Sequence, residues 1–321
     1  MQIEIIGAES LGVRSLCCMV EVEGRRIVID PGLALGYERS GLLPHPAQVA
    51  VGERTRRRIV AALKGATDVV MSHLHGDHVP LPDANPFQLK AQRVKPLCHG
   101  ARIWVKGRIG LSAHMMDRRA AIGEILDRDL PSADGKTAGP LAFSPAVPHG
   151  EPDTHLGTVM MTRVEDDDAV FVHASDIQLL HAEAVALILD WEPDIALVGG
   201  PPLYLSRFMD SSRRARAWRN AERLAGGVRT LVLDHHLLRS DEGLSWLARL
   251  SVKSSHRVMC AADFMGRPQR LLEAHRQALY EEMSVPSGWH RAYARGEIDT
   301  SGYRCYVDGA PKHAVEAFSR M

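Results

Sequence analysis

Ser72-His73-Leu74-His75-Gly76-Asp77-His78 follows directly on the apolar run Asp68-Val69-Val70-Met71. The run reads as a strand, and that strand stops in three imidazoles and one carboxylate. Packed together without a cation, such groups repel one another and compete for solvent. Zinc takes these donor types, His nitrogen and Asp oxygen, and catalytic zinc sites keep one position open for water. The stretch therefore predicts a metal-dependent hydrolase, and the rest of the chain must supply the remaining ligands.

Outward from this stretch the pattern alternates strands and helices. Gln2 to Ile6, Leu16 to Val22 and Arg26 to Asp30 read as strands, the last two joined by Glu23-Gly24. Asp30-Pro31-Gly32 punctuates a strand end, and a polar loop with Gly36, Gly41, Pro44 and Pro46 follows. Glu53 to Lys64 is predicted helical, with Ile59, Val60 and Leu63 on one face. Pro80, Pro82 and Pro86 keep the segment after the histidines irregular. Ala101 to Lys106 reads as a strand and Ser112 to Leu126 as a helix. Strands are predicted over Leu141 to Val147, Gly157 to Val164, Ala169 to His173, Ile195 to Val198, Thr230 to Leu233 and Arg257 to Met259. Helices are predicted over Ile177 to Leu189, Ser211 to Leu224, Leu244 to Leu250 and Gln269 to Met283. Early strands followed by alternating strands and helices indicate an α/β class.

Ligand-type residues recur where strands stop: His73 to His78, His149 in Pro148-His149-Gly150, Asp176 after Ala174-Ser175, and His235-His236. Functional groups collect at such ends because a rigid sheet positions the loops there. Each has an ordinary reading as well. Pro-His-Gly is a common turn, Ser-Asp before Ile177 suits a helix N-cap, and His-His suits a surface loop. The cluster at 73–78 raises the others, because a dinuclear site needs them.

Composition narrows the class. The chain has 321 residues, 45% hydrophobic, with 39 Lys+Arg against 39 Asp+Glu. That balance argues against a dedicated nucleic-acid binder. Cys17, Cys18, Cys98, Cys260 and Cys305 form no C-x-x-C pair and suit free thiols in a reducing cytoplasm. Neither a signal peptide nor a membrane span is expected. The expected partner is a small-molecule substrate, and the sequence leaves a homo-oligomer open.

The pattern His73-x-His75-x-Asp77-His78, then a lone His, an Asp after a strand and a last His after a strand, resembles the metallo-β-lactamase superfamily over residues about 2 to 240. Asp30 looks like the supporting aspartate that the superfamily carries early in its fold. Ala8 to Ser15, Gly199-Gly200-Pro201-Pro202-x-Tyr204, Leu233 to Arg239 and the Leu271-Leu272-Glu273-Ala274 segment resemble an uncharacterised archaeal-type group of metallo-hydrolases within it. The resemblance implies a four-layer αββα sandwich over 1–321, with a C-terminal helical extension at about 260–321. It also implies that His73, His75 and His149 hold one metal, that Asp77, His78 and one of His235 and His236 hold a second, and that Asp176 bridges both. Of the last pair, His236 is the preferred ligand, because it aligns with the superfamily's common Pro-Gly-His ending.

Two divalent ions sharing a hydroxide then predict hydrolysis of an ester-like, lactone or phosphodiester substrate, with Asp77 and Asp176 the carboxylates at the reacting centre and Asp77 a candidate acceptor for the water's proton. Zinc suits the imidazoles, and iron or manganese suits a carboxylate-rich second site. The alternatives are an iron-dependent oxidoreductase on the same fold, or a nuclease. Tyr204, His173 and His181 are candidate general acids, Tyr204 and Arg239 candidate substrate contacts. Arg213, Arg214, Arg216, Arg219 and Arg56-Arg57-Arg58 offer charge for phosphates or form solvated faces.

Overall fold

Successive side chains of a strand point to opposite faces of a sheet. In β3 (Arg25–Ile29), Ile27 and Ile29 accordingly enter one core while Val28 enters another. In β4 (Asp68–Met71), Val70 joins the first core, and Val69 and Met71 join the second. Both strands are buried on both faces and belong to a sheet with a layer on each side. The computed structural model describes residues 1–36, 38–152, 157–303 and 305–308.

The first sheet runs β1 (Gln2–Ile5), β2 (Cys18–Val22), β3, β4 and β5 (Arg102–Val105), in that order. Its first three strands are antiparallel neighbours and its last three are parallel. The second sheet contains β6 (Thr137–Ala138), β7 (Leu141–Phe143), β10 (Thr162–Glu165), β11 (Val170–Ser175), β12 (Ile195–Val198), β13 (Thr230–Leu233) and β14 (Arg257–Met259). β11 to β14 are parallel, and β10 and β7 continue the sheet antiparallel. β8 (Val147–Pro148) and β9 (Thr158–Val159) pair separately. The shared core joins Val20, Ile27, Ile29 and Val70 of the first sheet to Phe143, Val164 and Val172 of the second.

Helices cover the outer faces. α1 (Pro46–Leu63), α2 (Ala91–Cys98) and α3 (Ala113–Leu126) bury Ile59, Val94 and Ile122 against Val28, Val69 and Met71. α4 (Ala182–Asp190), α5 (Ser211–Gly227) and α6 (Asp241–Lys253) bring Val185, Leu224 and Leu247 to the second sheet. The result is the αββα sandwich that the resemblance implied. Among the described residues no helix is long and apolar enough to cross a membrane.

Several element bounds differ from the expected ones. α1 begins at Pro46 rather than Glu53. Pro46 sits at the first helical position, where its missing N–H costs nothing, and His45 closes a capping box with Gln48. The prolines at 80, 82 and 86 predict an irregular segment, yet α2 forms after them with Pro96 inside. α4 begins at Ala182, so Asp176 caps no helix. The C-terminal helix is shorter than Gln269 to Met283: α7 (Ala261–Phe264) is followed by α8 (Arg276–Glu282), α9 (Trp289–Ala294) and α10 (Cys305–Asp308). Trp289 stacks on Tyr293 at 5.1 Å between ring centroids, and Tyr293 on Phe87 at 5.9 Å. These rings tie the C-terminal segment to the loop between β4 and α2. Residues 309–321 of the expected extension lie outside the described residues.

Candidate metal centre

In an open α/β sheet the crevice outside the carboxyl ends of parallel strands is the natural binding site. Here two sheets bring such ends together. Asp30 follows β3, His73 to His78 follow β4, Asp176 follows β11, and His235 and His236 follow β13. His149 follows the short strand β8. All except His75 are buried, and the His75 side chain is 25% exposed.

Asp176 is the focus. Its Oδ2 lies 2.9 Å from His149 Nε2, 3.3 Å from His73 Nε2, 3.8 Å from His75 Nδ1 and 3.2 Å from His236 Nε2. Its Oδ1 lies 3.0 Å from His78 Nε2 and 3.1 Å from His235 Nε2, yet accepts no well-formed hydrogen bond. Asp77 Oδ2 stands 3.4 Å from His235 Nε2. Two ligand sets share Asp176, His73, His75 and His149 on one side and Asp77, His78 and His235 on the other, and His236 also groups with Asp176 and His235.

The surrounding chain fixes which ring nitrogens carry protons. Asp30 accepts from Ser72 N at 2.8 Å, Ser72 Oγ at 2.7 Å, Ser175 Oγ at 2.8 Å and His78 Nδ1 at 2.9 Å. A carboxylate only accepts, so His78 carries its proton on Nδ1. With the Ser72 hydroxyl donating to Asp30, its oxygen accepts from His73 Nδ1 at 2.9 Å. His235 Nδ1 donates to the Ser15 carbonyl at 3.1 Å, and Arg239 Nη2 donates to His235 Nε2 at 2.9 Å. In neutral rings this leaves the Nε2 lone pairs of His73 and His78 turned inward, while that of His235 accepts from Arg239, a bond that a cation would have to displace. His73 Nε2 is 2.9 Å from His75 Nδ1, and His78 Nε2 is 3.3 Å from His235 Nε2. Converging lone pairs of this kind fit divalent cations, with the outer nitrogens held as metal-binding histidines require.

Electrostatics agree. Burial pushes His73 down to about 3 and His235 down to about 4, so both rings are neutral donors near pH 7. Burial opposes charge on His78 too, but Asp176 and Asp30 outweigh it and raise the ring well above the ordinary histidine range. Burial alone would raise the Asp77 carboxyl; Arg14, His235 and His78 override it and hold the group ionised. That suits a ligand and makes Asp77 a weak proton acceptor.

Replacing Asp30 with asparagine is expected to weaken metal binding by about 10- to 100-fold, because the amide loses the charge and keeps one acceptor oxygen for the four donors from Ser72, Ser175 and His78. Competition with a chromogenic chelator reads this, and unchanged affinity would contradict the role given to Asp30.

No family model matches the chain. It is 50% identical over 303 residues to a UPF0282 protein of Methanosarcina mazei, covering 94% of this chain and 99% of that protein. It is 34% identical over 293 residues to a UPF0282 protein of Methanopyrus kandleri, covering 88% of this chain and 100% of that one. The chain belongs to the UPF0282 family. Among solved structures it is similar to a metal-dependent hydrolase of the β-lactamase superfamily, at a TM-score of 0.49 and 14% identity, covering 80% of this chain and 95% of that one. It is also similar to CmlA, a diiron β-hydroxylase from Streptomyces venezuelae, at a TM-score of 0.48 and 11% identity, covering 84% and 53%. These likenesses are remote. The chain's own sandwich and strand-end ligands carry the metallo-β-lactamase fold within UPF0282.

The other candidate residues sort by their surroundings. Arg239 is buried and already engaged, with Glu9 Oε1 at 2.7 Å, Asp77 Oδ2 at 3.3 Å and the Tyr204 hydroxyl at 3.2 Å. It braces the site from behind, and Tyr204 packs at its edge. His173 is buried between the sheets, bonded to the Leu16 carbonyl at 2.9 Å, and His181 pairs with Glu183 at 3.4 Å. Neither touches the ligand cluster. Arg213 and Arg216 hold Glu151 at 2.8 and 2.9 Å, which fastens the loop after His149 to α5. Arg56 bonds the Pro86 carbonyl and Tyr293, and Arg58 pairs with Glu4 at 2.5 Å. Arg14 was not singled out by sequence, yet its Nε meets Asp77 Oδ2 at 3.1 Å. Gln178 was missed as well. Its amide lies 3.2 Å from His149 Nδ1 through nitrogen while its oxygen has no partner. Turning the amide over lets His149 Nδ1 donate to that oxygen and satisfies both.

Proposed function

We propose that the protein is a dinuclear metal-dependent hydrolase acting on an ester-like, lactone or phosphodiester small molecule. The observation that carries this reading is the convergence on Asp176 of ring nitrogens whose protons are tied up elsewhere. His73, His75, His149 and Asp176 would hold one cation, and Asp77, His78, His235 and Asp176 the other. Zinc suits the imidazole-rich first set, with iron or manganese as the alternative for the second. When bound, such a pair supplies Lewis acidity and lowers the pKa of water towards neutrality.

The chain's own residues do the rest. Asp30, Ser72 and Ser175 lock the His73 and His78 rings. Glu9 and Arg239 fix Asp77 from behind. Burial of the ligand cluster excludes bulk water from all but the His75 side, which strengthens every charge interaction there. Unpaired Cys17, Cys18, Cys98, Cys260 and Cys305 support a reducing, cytoplasmic setting.

The test has two arms. Metal-loaded protein is offered lactone, thioester and phosphodiester probes, and hydrolysis of at least one is expected. His235→Ala should then lower the metal content by one ion per chain, whereas His236→Ala should keep both, because His235 faces Asp77 and His78 while His236 meets only Asp176 Oδ2 among the carboxylates. Iron-loaded protein that hydrolyses none of the probes would defeat the hydrolase reading.

A further inference from the structure

We infer that Arg14 docks an anionic group of the substrate, a phosphate or carboxylate, beside the second cation position. This rests on the hydrolase reading above and narrows its substrate to an oxyanion-bearing ester.

The loop from Ala8 to Ser15 forms one wall of the site. Ser10 N and Oγ bond Asp234, and the Ser15 carbonyl receives His235. Arg14 is held in that wall by its own backbone, whose carbonyl accepts from Ala34 N at 3.1 Å, while Ser15 Oγ bonds the Gly32 carbonyl at 2.6 Å. A cation on a fixed loop is better placed to orient a ligand than one on a mobile tip.

Only part of the Arg14 side chain is used. Its Nε donates to Asp77 Oδ2, and its side chain is 34% exposed. Nη1 and Nη2 have no acceptor among the described residues. Glu273 borders the same space, with its Oε2 bonded to Arg276 at 2.6 Å and Gln48 at 3.0 Å and its Oε1 3.8 Å from Arg39. Gly36 leaves the guanidinium its room: a Cβ there would stand 3.1 Å from Arg14 Nη1 and 2.8 Å from Glu273 Oε1. The free edge of a guanidinium matches the paired oxygens of phosphate or carboxylate.

Charge balance points the same way. Two divalent cations sharing a hydroxide, together with Arg14 and Arg239, would outweigh the carboxylates of Asp30, Asp77, Asp176 and Glu9 by one positive charge. Arg239 is 2% exposed and shut in behind Asp77, whereas the Arg14 side chain is 34% exposed beside Asp77, whose own side chain is 10% exposed. An anion at the mouth is the group that this surplus favours.

Isothermal titration of metal-loaded protein with inorganic phosphate and with acetate tests the inference, with metal content measured alongside. Arg14→Gln should weaken phosphate binding about tenfold or more, the loss of one charge-assisted contact, with two ions per chain retained. Arg14→Lys should recover part of the loss. Binding within twofold of wild type in Arg14→Gln overturns the inference, and so does loss of metal in that variant, since Arg14 would then serve only to hold Asp77. Phenylglyoxal labelling of the protein as purified gives a reading independent of metal and activity. Phosphate should protect Arg14 from modification, and no protection overturns the inference. Protein that binds no metal but shows this protection would defeat the hydrolase reading alone.

Discussion

Asp176→Ala is expected to leave a folded chain that no longer binds two metal ions. Asp176 Oδ2 faces His73, His75 and His149, and Oδ1 faces His78 and His235, so one side chain serves both sets. Removing it takes a ligand from each cation and the negative charge that offsets their mutual repulsion. Saturating metal at 100 times its dissociation constant stabilises a binding protein by about 2.7 kcal/mol per site, or about 5 kcal/mol for two. Thermal unfolding of wild type should show an upward shift of that size on adding metal, and Asp176→Ala should show none. The variant should still unfold cooperatively, because Asp176 lies at a strand end and caps no helix. An equal metal-induced shift in both proteins would remove Asp176 from its central place.

The second large effect concerns stability rather than chemistry. Asp68→Ala is expected to destabilise metal-free protein by about 3–5 kcal/mol, the cost of stripping one partner from a buried ion pair. The Asp68 side chain is fully buried at the start of β4. It accepts from Arg25 Nε at 2.9 Å and Nη2 at 2.6 Å, from Thr67 Oγ1 at 2.7 Å and from Trp104 Nε1 at 2.9 Å. β3, β4 and β5 are thereby pinned in register, and β4 is the strand that delivers His73 to His78. Burial raises the Asp68 carboxyl, but the bonds from Arg25, Trp104 and Thr67 outweigh it, so the group titrates below its ordinary range. The sign follows. Its stabilising contribution is fully present above the unfolded value of ~3.9 and is lost as pH falls through the lower folded value. Urea unfolding of wild type and Asp68→Asn should therefore converge as pH drops below about 4. A gap that stays constant with pH would show that the carboxylate charge is not what holds the strands.

The elements best legible in the sequence were those with a single strong pattern. Ile195 to Val198, Thr230 to Leu233 and Arg257 to Met259 form strands over those same bounds. They are short apolar runs closed by glycine, polar or ligand residues, with one conformation to satisfy. The segment after Asp176 was less legible, since Ile177 to Leu189 carries an apolar pattern throughout. There Leu179 adopts a positive φ of 62°, and Gln178 turns to His149. The aspartate that would have capped a helix is instead directed at imidazoles. Likewise α1 was cut short because histidine is an uncommon cap, and only the reciprocal bond from Gln48 reveals it.

The ligands were visible because each ends a strand, and a strand end marks itself locally. Their partners carry no such mark. Arg14 reaches Asp77 across 63 residues and Arg239 reaches Glu9 across 230. Sequence alone offers Arg239 as a candidate substrate contact, since nothing local announces a buried acid so far upstream. The basic residues 213 and 216 were open to a phosphate reading for the same reason; Glu151, more than 60 residues away, is their partner.

The central claim is that these strand ends build a two-cation site. Elemental analysis of protein purified without added metal, followed by equilibrium dialysis against zinc, measures it directly. Two ions per chain are expected in wild type, with one lost in His235→Ala. Wild-type protein that saturates at one ion or none would contradict the account.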